Sequence, residues 1–487
     1  MLFDYDKTSV DSILQYAKQL EGHTFLDVME QYLEYHGMSV EGALTDDTHA
    51  KGQLGNFLEK FYFGYKLNGD QEADFKEAGV ELKQTCIDIK KDGSYTAGER
   101  LSITNISFKE PVEHDFYKSH VWEKIRLMLL IHYIRDKSVQ RMLYKIMFVN
   151  LFTPPADDLN IIIDDYMKII GKIEAGKAHE LSESDTLYLG ACTKGATAAK
   201  SMRPQFYGDH TLARKRNFCF KRNYMDYILH MYVLKDEVPY ERIITDSDEL
   251  KKQTFEEIII GRISAYVGKT DKQLCEMFGR KYDNKNKAQW SNLAYCMLGI
   301  KGNHAEEFVK ANIVVKSIRL EENGKIEQNM SFPAFKFMDL ATQTWEDSDV
   351  YEYFSETRFL FVVFQQVDSV YVFKGAKFWS MPVVDLDKTV REGWEAVQHT
   401  IQEGVQFSVN PKGRVSNNLP GKTDNRIIHI RPHAKNAAYR LRNGFIRGNV
   451  KRDANPLPDG QWMTTQCFWL NNSYILEQLP KELTGKN

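Results

Sequence analysis

The chain is written twice, and this constrains its fold more than any other feature. Near the start, ILQYAKQLEGHTFLDVMEQ carries a helical apolar pattern, a glycine and threonine at Gly22 and Thr24, and a second helical pattern. Past the middle, IIIGRISAYVGKTDKQLCEMFG does the same around Gly268 and Thr270. A glycine ends one helix and a threonine caps the next. Strand-like EAGVELKQTCIDI and KANIVVKSIRL follow in the two halves. Then come YMKIIGKIEAGKAHEL and WEAVQHTIQEGVQFSV, helices broken at Gly176 and Gly404. NFCFKRNYMDYIL and CFWLNNSYILEQL come last. Shared order at a near-constant offset predicts two homologous α/β domains, over residues 1–235 and 253–487. A charged linker containing Pro239 is expected over 236–252.

The 487 residues carry a net charge of −3, so any polyanion surface must be local. Such surfaces exist. Residues 193–222 hold eight Lys or Arg against one acidic residue, and residues 422–452 hold nine against one. Aromatics are interleaved, Phe206, Tyr207, Phe218 and Phe220 in the first cluster and Tyr439 and Phe445 in the second. One such cluster is ordinarily a solvated face; two at matching places in a duplicated chain point to two polyanion-binding surfaces. The six scattered cysteines form no C-x-x-C pair and read as reduced thiols. MLFDYDKTSV does not read as a signal peptide, and the apolar run LMLLIHYI is shorter than the roughly 20 residues a bilayer requires. A cytoplasmic location in a bacterium, away from any membrane, is expected.

DFKEAGVELKQT, residues 74–85, carries the chemistry. Side chains on a strand alternate, so Glu81 and Lys83 share one face while Val80 and Leu82 take the buried one. With Asp74 from a neighbouring segment, two carboxylates could hold a hard cation such as Mg²⁺. The lysine could hold the attacking water or offset charge in a phosphoryl transition state. Glu59, in GQLGNFLEKF, is placed to join them from a preceding helix. The motif D…E-x-K by itself is also how a charged surface strand is written.

Longer segments decide between these. KGQLGNFLEKF, DFKEAGVELKQT, SHVWEKIRLML and NFCFKRNYMDYIL resemble the mismatch-repair endonuclease MutH. The resemblance is closer to the GATC-cutting type II restriction enzymes (Sau type) of the same PD-(D/E)XK superfamily. It extends through GKAHELSE and TKGATAAK, and in the second half through MSFPAFKF, WEDSD, ETRFLFVV, IRPHAKN and WLNNSYI. It implies two tandem MutH-like restriction-endonuclease folds, each a mixed central sheet flanked by helices. It also implies Asp74, Glu81 and Lys83 as the catalytic triad, with Glu59 as a further metal ligand. Lys51 and Lys124 match lysines near the phosphate, and Lys194 matches a base-reading lysine. MutH has Arg-Pro-Lys where this chain has Cys192, Thr193 and Lys194, and a tyrosine where Cys219 stands, so the base-reading set departs from the family. Thr193, Lys221 and Arg222 are candidate phosphate or base contacts.

In the second half, Glu307 matches Asp74, Lys316 matches Lys83, Tyr295 matches Glu59, and Val314 replaces Glu81. A valine binds no Mg²⁺, so this half is expected to be catalytically dead. Its basic cluster remains, and IRPHAKN keeps an Arg-Pro like that of MutH. Arg431, His433 and Lys435 are therefore expected to bind a second DNA site as an allosteric effector surface. The implied protein is a Mg²⁺-dependent restriction endonuclease that cuts duplex DNA before the G of GATC and leaves 5′-phosphates. It is expected as a monomer that pairs or loops on DNA, with a cognate DNA methyltransferase in the same system. A nicking repair enzyme and a non-catalytic GATC-binding protein are the other readings. The duplication argues against the first and the intact triad against the second.

Overall fold

The computed structural model describes residues 3–38, 53–65, 72–193 and 201–485. The chain divides into two compact units. Unit 1 comprises Met1–Thr254 with Glu306–Asn312, and unit 2 comprises Phe255–Ala305 with Ile313–Asn487.

Unit 1 opens with helices α1 (Val10–Lys18) and α2 (Phe25–Tyr35). The junction forms as its residues dictate. Gly22 takes φ +91°, and Thr24 and Asp27 exchange hydrogen bonds as a capping box. Helix α3 (Gln53–Phe61) follows. The first sheet is built from β1 (Glu81–Ile89), β2 (Tyr95–Ala97), β4 (Met128–Ile134) and β5 (Ile146–Phe152), with β3 (Leu101–Asn105) passing to a second sheet. Among the described residues the first sheet runs β2-β1-β4-β5, parallel only between β1 and β4. Its one face, with Val80, Leu82, Leu129 and Ile131, packs on α1, α2 and α3. Each such buried aliphatic contributes about 1.5–3 kcal/mol. Helix α4 (His120–Ile125), capped by Ser119, leads into β4, and α5 (Ala156–Glu174) follows β5. Then come β6 (Leu189–Thr193), the short pair β7 (Met202–Arg203) and β8 (Ala213–Arg214), and β9 (Arg216–Phe220). The second sheet has the order β3-β9-β6, antiparallel throughout.

Unit 2 repeats this plan. Gly268 takes φ +85°, and Thr270 and Gln273 form a capping box. Strands β10 (Ile313–Leu320), β12 (Arg358–Val367) and β13 (Val370–Trp379) form one sheet, again parallel in its first pair and antiparallel in its second. Strand β11 (Met330–Ala334) crosses to the other sheet, as β3 does. A hairpin of β14 (Phe407–Val409) and β15 (Val415–Asn417) precedes β16 (Ile428–Pro432). Strands β17 (Tyr439–Arg440), β18 (Ile446–Arg447), β19 (Ala454–Pro456) and β20 (Trp462–Thr464) form a small sheet, and β21 (Gln466–Leu470) completes the order β11-β21-β16. No helix among the described residues is long and apolar enough to cross a membrane.

One expected correspondence does not hold. Glu307 lies in the short helix Glu306–Ala311, which packs in unit 1. Its carboxylate accepts from the amides of Ile243 and Ile244 at 3.0 and 2.9 Å. It therefore holds backbone in unit 1 and cannot stand in unit 2 as Asp74 does in unit 1.

Candidate active site

The site of unit 1 is made by a tight turn. Gly79 takes φ +65°, a conformation that costs a side-chain-bearing residue. Around it Phe75 and Val80 exchange backbone hydrogen bonds at 2.9 and 3.2 Å. The turn brings Asp74 back beside the start of β1. The Asp74 amide donates to Oε2 of Glu81 at 3.3 Å, and Oδ2 of Asp74 accepts from the Leu82 amide at 2.9 Å. The strand alternation then acts as expected: Val80 and Leu82 are in the core, and Lys83 lies on the Glu81 side.

Glu81 is 2% exposed and carries two ammonium partners. Lys83 Nζ is 2.8 Å from its Oε1, and Lys124 Nζ is 2.8 Å from its Oε2. Lys124 arrives because α4 ends just before β4, whose Met128 pairs with Glu81. The Lys124 ammonium also donates to the Glu72 carbonyl. That second bond fixes the lysine from behind, and no sequence pattern announces it. Glu59 reaches the site from α3, which packs on β1. Burial, then the Asp74 carboxylate, pushes the Glu59 carboxyl up to about 7. Burial, then the Glu81 carboxylate, pushes Asp74 up to about 6. Crowded, mutually repelling carboxyl oxygens suit a hard divalent cation, whose charge would relieve that repulsion. Glu81 is nevertheless turned to its lysines and Asp74 to an amide. Among the described residues no three acidic, histidine or cysteine side chains are gathered closely enough to hold an ion.

The expected DNA contacts of unit 1 fare unevenly. Lys51 and Lys194 lie outside the described residues. Thr193 is half-buried at the end of β6. Lys221 is 2% exposed, and its ammonium donates to the Thr186 carbonyl. It sits between β9 and the helix Arg222–Ile228, turned inward beneath Gly190, so it braces the sheet and does not face solvent. Arg222 is half-buried and donates from Nε to the Ala97 carbonyl at 2.9 Å. The Cys192 and Cys219 thiols are buried and hydrogen-bonded to each other. Burial drives the Cys219 thiol well up, so Cys219 presents nothing to a base. Beside them stands a contact that no motif signals: buried Glu183 grips the Arg100 guanidinium at 2.6 Å.

In unit 2, Val314 packs against the hydrophobic core. The helix Gln289–Met297 carries Tyr295 at the position where α3 carries Glu59, and burial raises its hydroxyl. Ser348 caps the helix Asp349–Glu356 as Ser119 caps α4, but this helix, DVYEYFSE, carries no lysine to match Lys124. Arg431, His433 and Lys435 are all exposed, with the Arg431 guanidinium 5.3 Å from the Trp469 ring centre.

Comparison with known proteins gives two matches. Residues 63–165, which span the whole Asp74–Lys124 constellation, match the MutH family, described as the DNA mismatch repair enzyme MutH. Over 460 residues the chain is 35% identical to the type II restriction enzyme Sau3AI of Staphylococcus aureus, covering 88% of this chain and 92% of that protein.

Proposed function

The chain belongs to the type II restriction enzymes of the Sau3AI kind, with a MutH-like nuclease region, and from that premise we propose that it hydrolyses duplex DNA at GATC with Mg²⁺. The cut falls before the G and leaves 5′-phosphates. The observation that carries the reading is Glu81, a buried carboxylate held between Lys83 and Lys124 at 2.8 Å each, with Asp74 bonded to it through the turn.

Asp74, Glu81 and Glu59 would hold the ion, which when bound supplies an acidified water and polarises the phosphate. The chain's own groups do the rest. Glu81 fixes the Lys83 ammonium where it can orient a water and offset charge on the transition state. Lys124, anchored on the Glu72 carbonyl, holds Glu81 in place. Unit 2 binds a second DNA site as effector. Its support is the loss of carboxylates at Val314 and Tyr295 beside exposed Arg431, His433 and Lys435. With one catalytic set per chain, both strands fall by successive cuts or by two chains meeting on DNA. The cognate methyltransferase and the cytoplasm are the setting this activity implies.

The test is digestion of two plasmids with Mg²⁺, one with a single GATC and one with several, beside Glu81→Ala. Cleavage by the parent, faster on the multi-site plasmid, and none by the variant is expected. Cleavage by Glu81→Ala would overturn the site, and equal rates on the two plasmids would overturn the effector role.

A further inference from the structure

The decayed site of unit 2 has lost its carboxylates and kept its lysine. Lys316 stands on β10 two residues after Val314, as Lys83 stands two residues after Glu81 on β1. In unit 1 the lysine charge is balanced by Glu81. Lys316 has no carboxylate, carbonyl or hydroxyl partner among the described residues. It is half-buried, and burial alone depresses its ammonium. An unpaired lysine in such a place is costly, and a core would gain by replacing it with methionine.

Lys316 also faces a space. A pocket of about 500 Å³ is lined by β10 from one sheet, by Met330 and Ser331 of β11 from the other, and by Lys287 and Ser291 near the start of the helix Gln289–Met297. It therefore lies between the two sheets of unit 2. Glu321 and Glu327 also line it, and Glu321 is engaged by the Tyr371 hydroxyl at 3.3 Å. At the positions of Glu81 and Glu59, Val314 and Tyr295 offer a divalent ion no carboxylate.

We propose that this pocket is a metal-free phosphate site, in which Lys316 donates to a backbone phosphate of the DNA duplex bound by unit 2, with Ser331 lining the same pocket. This rests on the reading of unit 2 as a second DNA-binding half, and it names how that half grips DNA. In unit 1 the carboxylates would hold an ion against the scissile phosphate, with Lys83 beside it. In unit 2 Lys316 would meet the phosphate with no carboxylate at the positions of Glu81 and Glu59, so the duplex is held without being cut. A compact ammonium on a flexible stem suits a single phosphate oxygen.

The test uses the full chain in EDTA with a fluorescein-labelled GATC duplex. Stoichiometry and affinity are read by anisotropy and calorimetry, and melting temperature without DNA is read in parallel. The parent chain should bind two duplexes. In Lys316→Met the second duplex should bind about tenfold more weakly, with a log–log salt slope smaller by about 0.9. The DNA-free melting temperature of that variant should hold or rise, because an uncompensated buried charge is gone. Lys316→Arg should recover part of the binding. Two duplexes bound with unchanged affinities by Lys316→Met would remove Lys316 from the DNA and leave the effector reading standing. One duplex per parent chain would remove both. A lower melting temperature in Lys316→Met with no recovery in Lys316→Arg would make the lysine structural and sink the proposal.

Discussion

Lys124 holds Oε2 of Glu81 at 2.8 Å from one side while its own ammonium is pinned to the Glu72 carbonyl from the other. The pair is nearly closed to water, at 9% and 2% side-chain exposure. Without Lys124 the buried Glu81 carboxylate is left with Lys83 alone, so Lys124→Met should lower stability by about 1–3 kcal/mol in urea unfolding. It should also lower kcat by about 10²-fold or more, since Glu81 then lacks one of its two anchors. A variant with parental kcat and a reduced midpoint would show that Lys124 is structural only.

The raised carboxyls make the metal-free protein sensitive to pH. Asp74 moves from 3.8 to about 6 and Glu59 from 4.5 to about 7. The folded state thus binds these protons more tightly than the unfolded chain does. That stabilisation is complete below about pH 4 and is lost as pH rises through about 6 to 7. In EDTA the contribution of these groups to the melting temperature should therefore fall across that window. Asp74→Asn with Glu59→Gln should flatten the curve. Divalent-ion binding runs the other way, because it needs the ionised carboxylates, so affinity and cleavage should rise through the same window. Melting profiles of parent and double variant that coincide at every pH would contradict the assignment.

Gly79 is required by geometry at a point where the catalytic residues depend on it. A Cβ there would lie 2.8 Å from Nη2 of Arg126, on a backbone at φ +65°. Gly79→Ala should cost about 1–2 kcal/mol and displace Asp74 from Glu81. A displacement near 1 Å is enough for about a 10²-fold loss of rate. Parental kcat/KM in this variant would mean that the turn does not set the Asp74 position.

Residues that obey local rules are legible in the sequence. The alternation of Val80, Glu81, Leu82 and Lys83 is a property of any strand, and the junctions at Gly22–Thr24 and Gly268–Thr270 follow from helix capping alone. The duplication is legible because order and spacing survive where single residues drift. Lys221 and Glu307 are not legible, because where a side chain turns depends on what lies around it. Lys221 sits in a basic run yet points at the Thr186 carbonyl, and Glu307 fits the register of Asp74 yet caps the backbone of residues 243–244. Arg100 and Glu183 are 83 positions apart, and no periodicity connects them.

Restoring the carboxylates should not restore cutting in unit 2. Val314→Glu with Tyr295→Glu would return two acids to the positions of Glu81 and Glu59. The helix Asp349–Glu356 would still carry no lysine to do what Lys124 does, and Glu307 would still be spent on the amides of Ile243 and Ile244. The new glutamate at 314 would have Lys316 two residues on, as Glu81 has Lys83, with no counterpart of Lys124 in the helix Asp349–Glu356. It would enter a site packed against Phe-rich core, so its pKa should rise and the fold should lose about 1–3 kcal/mol. Made in a Glu81→Ala background, the double change should give no cleavage of a multi-site plasmid with Mg²⁺. Nicks or linear product from that protein would show that the carboxylates alone separate a working half from a silent one, and that Lys124 and Asp74 matter less than their geometry implies.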